Sequence, residues 1–172
     1  MSSHGATKKN QKLETAVNMH SLFHSRVKKV SKNCNVELRE DIEFYIVDLL
    51  ANFSLTKNLF GEEHPCNADE ALASIYARAV TLESGQQILL LRRMGDVALY
   101  YSGFFPDRFR RKIIDVDYFI SMGETAYMTV AHILNQQNNT QDFAQTFVSL
   151  SETFSKLVDL LAEVANYNNP SS

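Results

Sequence analysis

Residues 88–112 read ILLLRRMGDVALYYSGFFPDRFRRK. An apolar run from Ile88 is broken by Arg92, Arg93, Gly95 and Asp96, resumes through Tyr100 and Tyr101, and stops at Gly103 with Pro106 just beyond. Gly accepts the left-handed residue that closes a helix and Pro cannot continue the hydrogen-bond ladder, so a helix over residues 85–102 is predicted. Ser84 and Gln87 have capping-box spacing at its start. Beyond the turn, Val116, Ile120, Gly123, Tyr127, Val130 and Leu134 recur at helical spacing and predict a second long helix over 116–136. If the chain reverses near Arg108 or Phe109, the two helices run antiparallel with Gly95 facing Gly123. A mid-helix Gly costs about 0.5–1 kcal/mol relative to Ala, and close approach of two backbones is a physical reason to keep one. Ala98 and Ala126 extend both small patches.

The surrounding composition fits a helical fold. The chain has 172 residues, 45% of them hydrophobic, with only six Gly and three Pro, which suits helices joined by short connections better than a sheet with frequent turns. The expected class is all-α, a single compact bundle of about six helices over residues 12–167. Residues 1–11 are expected to be a flexible basic arm and 168–172 a disordered tail. No segment approaches the roughly 20 apolar residues of a membrane span, and MSSHGATKKNQK lacks the apolar core of a secretory signal. The expected location is cytoplasmic. Cys34 and Cys66 have no partners at zinc or redox spacing, so both are expected as free thiols.

The net charge of −3 conceals an asymmetry: residues 1–32 hold seven Lys or Arg and one Glu, and residues 33–172 hold ten basic and nineteen acidic side chains. A basic arm preceding an acidic body can touch nucleic acid, an anionic membrane, or an acidic surface of its own or another copy. Helix one is predicted over 13–31, with Leu13, Ala16, Val17, Phe23, Val27 and Val30 on its core side. Helix two is predicted over 38–53, a loop over 54–66, and a further helix over 68–82 opened by Asn67 and Glu70. The last helix, after Asn139 or Thr140, carries Phe143, Phe147, Leu150, Phe154, Leu157, Leu161 and Val164 in alternating steps of four and three. Uncharged residues flank that seam, which predicts a broad face inside a bundle more than a dimerising zipper.

No nucleophile motif, phosphate loop or dinucleotide fingerprint is present, so no catalytic set assembles and no cofactor is named. His20 and His24 share a helix face but have no ligating carboxylates at suitable spacing, and no metal site is assigned. Arg108, Arg110, Arg111 and Lys112 alternate with Phe104, Phe105 and Phe109, a mixture that can bind single strands. Beside an acidic body the aromatics better seal a turn, and nucleic acid is not the expected partner.

The charges of the opening stretch admit two readings. Asp96 is four residues from Arg92 and three from Arg93, within reach of either on a helix. In one reading they form an internal brace, completed by Tyr100 or Tyr127. In the other, a spare guanidinium binds an anionic ligand between helices, with Arg92, Arg93, Asp96, Tyr100 and Tyr127 as its site residues. The predicted function follows the first: a non-catalytic interaction or regulatory module, with a protein partner or self-association. The alternative is a small-ligand-binding bundle or an enzyme acting on an anionic compound at that crossing.

Overall fold

The computed structural model describes the backbone of residues 3–60, 68–105, 115–137 and 140–167. Cys66, Asn67, the basic run from Arg108 to Lys112 and the predicted tail lie outside the described residues. Among the described residues the chain is all-α, as its composition predicts, with seven helices and no strand. They are α1 (Ser3–Asn33), α2 (Glu40–Phe60), α3 (Ala68–Ala79), α4 (Ser84–Phe104), α5 (Val116–Asn135), α6 (Gln141–Glu152) and α7 (Phe154–Asn166). By their contacts the helices group into two compact units, Met1–His64 and Pro65–Ser172.

In the first unit α1 and α2 pack antiparallel. The helix begins at Ser3, so the residues expected to form a loose arm are its first turns. Ala, Lys and Gln favour helix there, and no Pro interrupts them. The connection closes on a Schellman motif: Val36 N–H donates to Ser31 O at 2.9 Å and Asn35 N–H to Lys32 O at 3.3 Å. Asn35 supplies the left-handed residue, with φ 54°, a conformation Asn tolerates because its short polar side chain bonds locally. Phe23, Val27 and Val30 are buried on α1, as are Ile42, Ile46 and Leu50 on α2. Leu13 and Val17, expected on the core side, are instead exposed. The two histidines part company: His24 Nε2 lies 3.2 Å from Glu43 Oε1, and the His20 ring sits 5.8 Å from that of Phe44. α2 outruns its predicted end at Phe53 because nothing in SLTKNLF breaks a helix before Gly61.

In the second unit α4 is the element that most others share. It packs against α3, α5 and α7, while α6 lies along α5. Leu91, Met94, Ala98 and Leu99 are buried, and the burial continues through Tyr100, Tyr101 and Ser102. The first half of α4 is less enclosed than the second: of the apolar run Ile88–Leu91 only Leu91 is buried, and Leu89 is 66% exposed. α5 opens on Asp115, whose carboxylate accepts from Asp117 N–H at 3.3 Å and so caps this helix.

The α4–α5 crossing differs from the predicted one by a helical turn. A Cβ built on Gly95 would clash with the Tyr127 ring, and one built on Gly123 would clash with the Phe154 ring beside the Ala98 methyl. Each glycine therefore receives a large aromatic side chain, not the opposite glycine. Tyr127 lies opposite Gly95 and Ala98 beside Gly123, a register about one turn along from the predicted one.

The predicted last helix is interrupted at Thr153, which sits at φ −104°, ψ 9°. The Thr153 hydroxyl donates to Ser149 O at 2.6 Å, a back-bond that competes with the helical ladder, and the nearby Ser151 hydroxyl donates across to Glu124 O at 2.9 Å. Phe147 and Leu150 before the break and Phe154, Leu157, Leu161 and Val164 after it are buried, with Ala144, Ser151, Val158 and Leu160 beside them. The seam is thus a broad internal face, as its uncharged flanks predict, except that its first residue Phe143 is exposed.

Gly95→Ala should destabilise the protein by about 1–3 kcal/mol in urea unfolding, because the Tyr127 ring must move to admit the methyl group. Gly85 has nothing within 4 Å of a built Cβ. Gly85→Ala should be neutral or stabilise by up to about 1 kcal/mol.

Candidate functional site

The residues singled out in the opening stretch separate when placed on α4. Asp96 points into the α4–α5 crossing, where its Oδ1 accepts a hydrogen bond from the Tyr127 hydroxyl at 2.7 Å. The tyrosine is fully buried and the Asp96 side chain is 19% exposed. A carboxylate so far removed from water requires strong partners, and a short bond from a phenol supplies one.

Arg92 Nε stands 3.8 Å from Asp96 Oδ2, one turn back along α4, with its side chain 44% exposed. That distance is at the outer limit of an ion pair, and half exposure screens it, so its contribution is under about 1 kcal/mol. Tyr127, not the arginine, is the principal partner of Asp96. Arg93 lies on the exposed side of α4, and among the described residues its side chain has no ion-pair partner. Tyr100 is buried, its ring stacked on Phe104 at 5.1 Å between centroids and edge-on to Phe105 at 5.7 Å. Of the five candidates, Arg92, Asp96 and Tyr127 come together, Tyr100 joins an aromatic cluster farther along α4, and Arg93 faces solvent.

An anion approaching Arg92 meets the Asp96 carboxylate one turn along the same helix, and that negative charge opposes binding. The Tyr127 hydroxyl is committed as a donor to Asp96. No group of three or more His, Cys, Asp or Glu among the described residues is placed to hold a metal ion. Cys34 is a free thiol on the surface.

Two features escape the sequence reading. Ser102 Oγ is buried and has no hydrogen-bond partner among the described residues. Its neighbours Tyr100, Tyr101, Phe104 and Phe105 advertise an apolar site, but nothing in the sequence reveals that the hydroxyl bonds to no carbonyl of the preceding turn. The second feature is exposed apolar surface: Tyr76 on α3, Val80 just past its end, and Leu89 on α4 are 44%, 54% and 66% exposed. Here a signal was present, because Leu89 stands four residues before Arg93 and shares its polar row.

A double-mutant cycle of Tyr127→Phe with Asp96→Ala should give a coupling of about 1.5–3 kcal/mol, the range of a hydrogen bond to a charged group. The cycle of Arg92→Ala with Asp96→Ala should give less than about 1 kcal/mol. Ser102→Ala should raise stability by about 1 kcal/mol, since it deletes a buried polar atom that has no bond to lose. Comparison with protein-family models, with curated proteins and with solved structures finds no match to the chain.

Proposed function

We propose that the chain is a non-catalytic interaction module, working in the cytoplasm and engaging protein partners, self-association among them. The observation that carries this reading is the pairing of a committed interior with an uncommitted exterior. Asp96 is bonded to Tyr127 and flanked by Arg92, which supports the brace at the α4–α5 crossing. Tyr76 on α3 and Val80 just past its end are exposed, as are Leu89 and Arg93 on α4. An aromatic residue, two aliphatic residues and an arginine with no ion-pair partner among the described residues are available to anchor a protein interface. No helix among the described residues is long and apolar enough to cross a membrane.

The test compares the wild-type chain with the double variant Tyr76→Asp/Leu89→Asp as baits in affinity capture from the source cells. Both positions are exposed, so the variant should keep its helix content and melting temperature within about 0.5 kcal/mol of stability. A defined set of partners should be held by the wild type and lost by the variant. The outcome against it is a small anionic compound that raises the melting temperature of the wild type, by the equivalent of about 2.7 kcal/mol at a hundred-fold excess over its Kd, and has no effect on Arg93→Ala. That result would transfer the function to the ligand-binding alternative.

A further inference from the structure

The charge of the chain is sorted by position. Residues 1–32 carry seven Lys or Arg less one Glu, a net +6, and residues 115–172 carry one Lys less seven Asp or Glu, a net −6. Both ends of this distribution reach the surface. On α1, every side chain from Lys8 to Asn18 is exposed except Ala16, which is half-buried. Helical spacing sorts this segment into two faces, with Lys8, Lys9, Lys12, Leu13, Ala16 and Val17 on one and Asn10, Gln11, Glu14, Thr15 and Asn18 on the other. All three lysines thus share a face with the exposed Leu13 and Val17. A helical segment this short, with so little of its surface covered, is marginal in water and gains from a partner that covers its apolar side.

The complementary surface is a row on α7. Lys156, Asp159, Glu163 and Tyr167 follow one another at steps of three, four and four and are all exposed. Lys8, Lys9, Lys12, Asp159 and Glu163 have no ion-pair partner among the described residues. The spacings agree. Lys8 and Lys12 stand four residues apart, about 6 Å along the axis, and Asp159 and Glu163 stand the same distance apart. Laid parallel with Lys8 beside Asp159, Lys12 comes beside Glu163, and Ala16 and Val17 reach the level of Tyr167.

We propose that the lysine face of α1 docks on the Asp159–Glu163–Tyr167 row of α7 in a second copy of the chain. The contact joins different surfaces, so a two-fold pair of molecules satisfies it twice and an unreciprocated contact leaves one of each surface open to further copies. A membrane surface is the weaker match to the same helix face, which offers only Leu13 and Val17 as large apolar groups and no aromatic residue to enter a bilayer. The ion pairs are exposed, so the association strengthens at low ionic strength and weakens as salt shortens the screening length.

The experiment is sedimentation velocity on the full chain, in low and in high salt, over a range of concentrations. The wild type should exceed its monomer mass of 19.5 kDa in a concentration-dependent way and return toward it in high salt. Lys8→Glu/Lys12→Glu and Asp159→Lys/Glu163→Lys should each weaken self-association roughly ten-fold or more. An equimolar mixture of the two variants should recover it, because each variant offers the surface the other has lost. Circular dichroism checks that the helices persist, and Lys8→Gln/Lys12→Gln replaces the charge reversal if α1 unravels. A wild type that stays monomeric at every concentration and salt overturns the proposal. So does association that survives both reversals, and so does a monomer whose lysine face instead binds anionic vesicles or single-stranded DNA.

Discussion

Tyr127 can occupy its place only because the residue facing it on α4 has no side chain. Its ring fills the space a Cβ at Gly95 would take, its hydroxyl donates to Asp96 one residue on, and its other side meets Phe147 and Phe154, each at 5.8 Å between centroids. A single buried phenol thereby fixes the positions of four helices: α4 through Gly95 and Asp96, α5 as its own element, α6 through Phe147 and α7 through Phe154. Aromatic rings contribute most to a core when they are large, rigid and able to satisfy their one polar atom, and this ring meets each condition. Phe154 repeats the arrangement at the next turn, lying over Gly123 with Ala98 beside it. The two glycines act as sockets for rings, and the cost of each in helix propensity is offset by the area the rings bury.

The same Tyr127 ring gives the half-buried Asp96 carboxylate a hydrogen-bond partner from the facing helix. Polar groups of this kind, satisfied by a partner on another helix, resist sliding of one helix past the other. The interest then moves outward, to side chains the core does not use: the apolar rows of α3 and α4, the lysine face of α1 and the acidic row of α7.

Much of this architecture was legible before any coordinates. The helical period of Val116–Leu134 and the uncharged flanks of the Phe147–Val164 seam each predict what the structure contains, whereas Gly103, expected to close α4, lies within it against Leu161. The glycine pair does mark the α4–α5 contact, but each glycine admits an aromatic ring where the sequence predicts the opposite glycine, because a turn length estimated from sequence is uncertain by several residues and one turn of helix is under four. Tyr127 was legible as a partner of Asp96, not as the ring that faces Gly95. Leu13, Val17 and Leu89 show a second limit: helical spacing assigns residues to a face, but whether another element covers that face depends on contacts far apart in sequence. The buried Ser102 hydroxyl shows a third, since bonding geometry within a turn leaves no mark on the pattern of residue types.

The interruption at Thr153 carries a consequence for how this chain relates to others like itself. An unbroken helix with the apolar repeat of residues 143–164 would present one continuous stripe, the form of surface on which parallel strands of a supercoil assemble. Divided by a single threonine, the stripe is shared between two neighbours of its own molecule, with α6 laid along α5 and α7 along α4. The chain wraps its own hairpin with a segment that, if straight, would be a ready template for oligomers. A barrier to indiscriminate helix pairing is in this way built into one backbone position.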